Sequence, residues 1–252
     1  MTHRAGAVAV IGGGGGIGQA IARRLVAEGR PVAIIDVDGD AAARSAILAG
    51  ASARAITLDG RDERAFASAL DTAISELGAI SGLVNAQGMT LARQALDMTD
   101  DEFRSVLDVN LVSVFSASRA AAARMGAGGA IVNISSIAAR TPNMSRAAYA
   151  ASKAGVEGLT RALAFEWAAR GIRVAAIAAG YTDTPFIRHA IADGFLEQRQ
   201  VEARTPLGRM AQPAQIASVA SFLLGPDASY ITGAVVDADG GWLVQGLGLP
   251  GS

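Results

Sequence analysis

The chain has 252 residues, 51% of them hydrophobic and only 18% charged. That is too apolar for intrinsic disorder and enough to enclose one large core. Lys and Arg number 22 against 23 Asp and Glu, a net charge of −1, so no global positive field exists to hold nucleic acid or an anionic membrane. There is no cysteine, and the only histidines are His3 and His189. Disulfide frameworks, thiolate catalysis and Cys- or multi-His metal sites are excluded, and no metal is expected.

Arg4 before the apolar stretch Ala7–Ile11 mimics the start of an export signal, but the glycines Gly12–Gly16 and an amphipathic segment follow. Ala7–Ile11 therefore reads as a first strand, and a cytoplasmic protein is expected. No apolar run reaches the ~18 residues of a membrane span. Gly16–Glu28 reads as a helix, with Ile17, Ile21, Leu25 and Val26 at helical spacing. Strands follow at Val32–Asp36 and Ala55–Leu58, a helix at Glu63–Leu77 and a strand at Ile80–Asn85. Thr99 has the type of an N-cap and opens a long helix to about Met125. Next come a strand at Ala130–Ile134, a helix over Ala147–Arg170 ended by Gly171, and a strand at Arg173–Ala178. Pro185–Arg204 is an irregular helical segment with Gly194 inside it, Gln212–Leu224 a helix and Ala234–Asp237 a final strand. Strands alternating with helices predict a parallel sheet covered on both faces, one doubly wound α/β domain over residues 1–252.

Gly12, Gly15, Gly16, Ile17 and Gly18 join the first strand to the first helix. Glycines there allow a tight turn and close approach of a pyrophosphate to the helix N-terminus. Asp36 ends the second strand, where a carboxylate accepts both hydroxyls of an adenosine ribose and repels a 2′-phosphate. Val37 follows and the loop has no basic side chain, so NAD is favoured over NADP. The bland alternative is a glycine turn beside a solvated Asp.

Of the 22 basic residues, 21 are Arg and one is Lys153. A chain so biased to Arg keeps its one Lys where a compact, tunable charge is needed. Tyr149 stands four residues earlier, on the same helical face. A neighbouring ammonium is expected to lower the phenol from its solution value of about 10, so that Tyr149 can exchange a proton with an alcohol or ketone. The alternative is an amphipathic helix whose Tyr packs and whose Lys reaches solvent.

With this loop and the Tyr-x-x-x-Lys pair in order at the expected spacing, the chain resembles the short-chain dehydrogenases/reductases nearly end to end. The resemblance implies a single-domain Rossmann fold with a seven-stranded parallel sheet in the order 3-2-1-4-5-6-7, and a homotetramer. It implies a tetrad: Ser136 holding the substrate oxygen, Tyr149 as acid or base, Lys153 on the nicotinamide ribose and Asn110 holding a relay water. Ser135 competes with Ser136, and spacing favours Ser136. Further cofactor positions are Asp59 and Gly60 at the adenine, Asn85, Ala86 and Gln87 after the fourth strand, and Gly180, Thr182 and Thr184 at the carboxamide. Ile11, Ala86, Gln87 and Ala179 depart from the family pattern, and apolar packing is expected to replace the usual tie between the glycine loop and Asn85–Gly88.

The segment 185–205 stands where the family carries its substrate lid. Its apolar residues, with Met144 and Tyr181, suggest a hydrophobic or aromatic secondary alcohol or ketone. Candidate substrate contacts are Ser136, Met144, Tyr149, Tyr181, Phe186 and His189. Arg146 and Arg188 could instead meet an anionic substrate. The apolar tail Trp242–Pro250 is expected at a subunit interface. The reading is an NAD-dependent oxidoreductase acting on a small molecule. Its alternatives are a 3-oxoacyl-thioester (acyl-carrier-protein) reductase and, outside catalysis, an NAD-binding sensor or scaffold.

Overall fold

The computed structural model describes residues 6–58, 63–141 and 143–246. The apolar runs become seven strands: β1 (Ala7–Ile11), β2 (Val32–Asp36), β3 (Ala53–Thr57), β4 (Ile80–Asn85), β5 (Ala130–Ser136), β6 (Arg173–Ala179) and β7 (Val235–Ala238). They form one parallel sheet in the order β3-β2-β1-β4-β5-β6-β7, the order the resemblance implies. β1 is buried at every position, as a strand covered on both faces must be. Val10 lies between Ile34 and Val84 in register, and Ser136 lies beside Ala179.

The helices are α1 (Gly16–Ala27), α2 (Gly39–Ala49), α3 (Glu63–Leu77), α4 (Asp100–Leu107), α5 (Ser113–Ala122), α6 (Ala147–Trp167), α7 (Pro185–Ala192), α8 (Gln198–Arg204) and α9 (Pro213–Leu224). α1, α2 and α9 cover one face, burying Ile21, Leu25, Ala42, Ile216 and Leu223 against Val10 and Ile34. α3, α5 and α6 cover the other, with Phe66, Leu70, Ala117, Ala121 and Leu163 against Ile35 and Leu83. The strand order reverses between β1 and β4, which opens a crevice at their carboxyl ends. No described helix is long and apolar enough to cross a membrane.

Four features differ from the sequence reading. Helix α2 was not expected: it buries only Ala42 and Ser45, too few positions for a readable stripe, and Asp38 caps it by accepting from Ala41 N at 2.9 Å. β3 starts two residues early, at Ala53. The helix opened by Thr99 is divided by a π-helical turn at Asp108–Val112 and ends at Ala122. The segment after Pro185 splits into α7 and α8, with Gly194 at φ +74° between them.

Candidate active site

The crevice begins at the glycine loop. Gly12 has φ +73°, and a Cβ there would lie 2.5 Å from Gln87 N. A Cβ at Gly18 would lie 2.1 Å from Gly12 O, so neither position admits a side chain. Gly15 caps α1 without a side-chain hydrogen bond, and a Cβ there would meet nothing within 4 Å. The first N–H groups of α1, including those of Ile17 and Gly18, thus face an open approach suited to a phosphate. Across the loop, a Cβ on Gly16 (φ +53°) would be 3.4 Å from Thr184 Cγ2.

Asp36 is held at the edge of this loop. Its Oδ2 accepts from Gly14 N at 2.8 Å and its Oδ1 from Asp38 N at 3.1 Å. Val37 beside it is exposed. Loop, helix end and carboxylate together fit a nicotinamide dinucleotide. Asp59 and Gly60 lie outside the described residues.

Asn85, Ala86 and Gln87 close the other side of the loop. Ala86 N donates to Ile11 O at 2.9 Å. Gln87 Nε2 donates to Ser113 Oγ at 3.0 Å, and Asn85 Nδ2 to Ser118 Oγ and to Asn133 Oδ1. The expected apolar replacement is therefore only part of the tie. Ile11 is buried, a backbone hydrogen bond joins it to Ala86, and the Gln87 side chain ties this segment to Ser113 of α5 rather than to the glycine loop.

The tetrad candidates meet at the ends of β4 and β5. Burial and hydrogen bonding separate the two serines. Ser135 Oγ is turned away, donating to Lys153 O at 3.3 Å and Glu157 Oε1 at 3.4 Å. Ser136 Oγ accepts from Ala138 N at 3.1 Å and is the hydroxyl that acts on the Tyr149 phenol. Lys153 Nζ donates to Ile134 O at 2.9 Å and sits 5.8 Å from the Tyr149 ring centroid. Asn110 projects from the π-helical turn. Its Oδ1 accepts from Met89 N at 2.8 Å, and its Nδ2 donates to Met89 O at 2.9 Å and Ser152 Oγ at 3.0 Å. A Cβ on Gly88 would lie 3.5 Å from Lys153 Nζ and 3.6 Å from Asn110 Oδ1, so the chain after β4 passes directly over the pair.

The electrostatics correct one expectation. Burial pushes the Tyr149 phenol up from 10, opposed by the Ser136 hydrogen bond and the Arg146 guanidinium. Lys153, whose ammonium donates to the Ile134 carbonyl, is not among the groups that shift it. Burial brings Lys153 itself down to about 8.

On the substrate side, Tyr181 packs on Trp242 with ring centroids 5.0 Å apart, in a cluster with Ile137, Ile187, Ile191 and Leu196. Thr182 Oγ1 donates to Gly180 O, and Thr184 caps α7 by accepting from Ile187 N at 3.3 Å. Met144 (91% exposed) and Phe186 are outside that cluster. His189 Nδ1 lies 2.7 Å from Pro185 O. Arg188 is engaged by both Asp183 oxygens at 2.6 and 2.9 Å, so it is not a free anion receptor. Trp242 is buried within its own chain under the Arg204 guanidinium rather than left for a subunit interface, and residues 247–250 of the tail lie outside the described residues. Ser113, Ser152 and Asn133, which brace the site, were not singled out from sequence. Small polar residues on buried faces of helix and strand were the available signal.

A family model described as enoyl-(acyl carrier protein) reductase matches residues 12–243. A galactitol 2-dehydrogenase (L-tagatose-forming) of Cereibacter sphaeroides is 40% identical over 246 residues, 94% of each chain. A cis-4-hydroxycyclohexanecarboxylate dehydrogenase of Sinomonas cyclohexanicum is 38% identical over 92% of this chain and 94% of its own length. The chain spans 43% of the length of another relative, an uncharacterized short-chain type dehydrogenase/reductase of Sinorhizobium fredii, at 36% identity. The crystal structure of gox2181 superposes with a TM-score of 0.89 at 32% identity, covering 95% of this chain and 96% of that one. The chain belongs to the short-chain dehydrogenase/reductase family, whose members are oxidoreductases that use nicotinamide cofactors.

Proposed function

We propose that the protein is an NAD-dependent alcohol dehydrogenase or ketone reductase acting on a hydrophobic or aromatic secondary alcohol or ketone. The observation that carries this reading is the meeting of Ser136, Tyr149, Lys153 and Asn110 over the crevice that Asp36 and the glycine loop flank. NAD, when bound, supplies the hydride acceptor. Tyr149 would take the alcohol proton as its phenolate, becoming the phenol, and in the reverse direction the phenol would give that proton to a ketone. Ser136 holds the substrate oxygen beside that phenol. With the cofactor bound, Lys153 would hold the nicotinamide ribose and would pass the proton outward through a water at Asn110. The loop residues Gly12, Gly15, Gly16, Ile17 and Gly18, with Asn85, Ala86, Gln87, Gly180, Thr182 and Thr184, would line the cofactor.

Residues 1–252 act as one catalytic domain, with 185–205 as its substrate lid. The reading takes the protein to be a cytoplasmic homotetramer with no nucleic-acid or membrane partner. Two relatives are named dehydrogenases, one of a polyol and one of a ring hydroxy acid, which favours a hydroxyl substrate.

A second reading, a 3-oxoacyl-thioester reductase, is favoured by relatives named 3-oxoacyl-(acyl-carrier-protein) reductase, 36% identical over 92% of this chain. It requires NADPH, which the Asp36 carboxylate opposes. Initial rates with NAD and NADP across a panel of secondary alcohols decide between them. NADH appearing with ring or aromatic alcohols supports the proposal, and a strong NADPH preference on 3-oxoacyl thioesters supports the second reading. Tyr149→Phe is expected to keep NAD binding and lose at least about 1,000-fold in kcat, since it removes the proton-transfer group. Near-normal turnover in that variant would falsify the mechanism. Tight NAD binding with no turnover on any substrate would mark a sensor.

A further inference from the structure

We propose that Arg146 is a substrate-binding residue, and that the alcohol or ketone taken by this enzyme carries a carboxylate that pairs with the Arg146 guanidinium. This rests on the oxidoreductase reading above and names its substrate class.

Arg146 Nη1 is buried and has no hydrogen-bond partner. No other hydrogen bond or ion pair of this side chain exists among the described residues. A guanidinium stays protonated at any working pH, so it cannot relieve its burial by losing a proton. Arg146 as a whole is half-buried, so the unmet donor is Nη1, and an unsatisfied buried donor of this kind persists where a ligand supplies the partner.

The position is equally specific. Arg146 is the N-cap residue of α6, three positions before Tyr149. Its charge reaches the Tyr149 phenol. The chain delivers it there through a strained residue. Ser145 has φ +59°, the only non-glycine positive φ among the described residues, at a cost of roughly 1–3 kcal/mol. Ser145 O accepts from Arg93 N at 3.1 Å, which ties this bend to the segment after β4. That segment holds a second buried donor without a partner, the Thr90 hydroxyl.

Neighbouring cations are already engaged. Lys153 donates to Ile134 O, Arg188 pairs with Asp183, Arg140 with Asp237, and Arg204 lies 4.3 Å from the Trp242 ring centroid. Arg146 is the guanidinium left for a ligand. A carboxylate matches its planar fork in a bidentate pair, which fixes the substrate's orientation as well as adding affinity. The apolar cluster of Tyr181, Ile187 and Trp242 then fits the hydrocarbon part of a hydroxy acid.

The test uses matched pairs that differ by the carboxylate: cyclohexanol against 3-hydroxycyclohexanecarboxylate, and 2-pentanol against 4-hydroxypentanoate. The full chain with NAD is expected to prefer the acid of at least one pair by about 100-fold in kcat/KM, the size of one buried charged contact. Arg146→Gln brings the ratio within each pair close to one, chiefly through KM, and Arg146→Lys restores part of it. Taking the ratio within one variant cancels any change in the Tyr149 phenol that affects both members.

A wild-type ratio near one, or an unchanged ratio in Arg146→Gln, overturns the proposal. Calorimetric titration of cyclohexanecarboxylate into NADH-loaded protein reads the same contact without turnover. Binding that is lost in Arg146→Gln supports the anion site even if no alcohol is oxidised, in which case the oxidoreductase reading alone fails. Absence of binding in the wild type, with no preference for the acids, sinks the anion site while leaving turnover of neutral alcohols intact.

Discussion

Asp36 and Lys153, central to the proposed chemistry, each give a measurable outcome. In the proposed reading the Asp36 carboxylate, held by Gly14 N, takes the place that a 2′-phosphate would need. Asp36→Ser should therefore move the NADP-to-NAD ratio of kcat/KM toward NADP by at least about tenfold, or 1.4 kcal/mol. A ratio unchanged in steady-state assays would remove Asp36 from the cofactor site. Lys153 titrates at about 8 in the folded protein, against 10.5 for its ordinary value. Between those values the unfolded chain binds the additional proton, so stability rises with pH across that window. Below it, the buried ammonium costs up to about 3 kcal/mol. Urea unfolding of cofactor-free protein should find Lys153→Met more stable than wild type at pH 7, with most of that gap gone by pH 10.5. A constant gap would mean that Lys153 titrates normally. The type and spacing of Tyr149 and Lys153 made the pair legible, because the chain spends its single Lys there. The direction of the Tyr149 shift was not legible. It depends on burial and on where the ammonium points, and both are set by residues distant in sequence.

At the scale of elements, long strands and amphipathic helices could be read from apolar periodicity, whereas their interruptions could not. The π-helical turn at Asp108–Val112 has no marker residue such as Pro or Gly. It is fixed from outside, by Asn110 bracketing both backbone groups of Met89 and by Ser113 receiving Gln87. Such turns concentrate at functional sites, where one displaced residue re-aims a side chain. Asn110→Ala leaves Met89 N–H and C=O without that side chain in a part-buried setting. The expected cost is about 1–3 kcal/mol of unfolding free energy, together with a loss of kcat larger than the loss of NAD affinity. Denaturant titration and steady-state kinetics on the same preparation check both halves. Unchanged stability would mean that the turn holds itself without Asn110. Helix α2 escaped notice for the opposite reason. Its N-cap Asp38 is visible, but Ile47 and Leu48 are exposed, so its apolar residues do not mark its buried side.

For the molecule as a whole, the buried parallel sheet follows from runs such as Ala-Val-Ala-Val-Ile, which suit a strand covered on both faces. The outer surface of the α3, α5 and α6 layer is less easily accounted for in a single chain. Phe165 on α6 is 88% exposed, and Phe115 on α5 is partly exposed beside Val112. Scattered apolar residues are ordinary on a surface, but two phenylalanines on helices of one layer favour association. Burying a phenylalanine contributes roughly 1.5–3 kcal/mol, and a symmetric interface counts each contact twice. The expected tetramer should therefore weaken when this surface is charged. Light scattering of the purified protein should give a four-chain mass, and Phe165→Glu with Phe115→Glu a smaller species that still melts cooperatively. A monomeric wild type, or a double variant that keeps its mass, would place the contact elsewhere. Retained turnover in a dissociated variant would further show that each chain carries a complete site, as the meeting of Ser136, Tyr149, Lys153 and Asn110 within one chain leads one to expect.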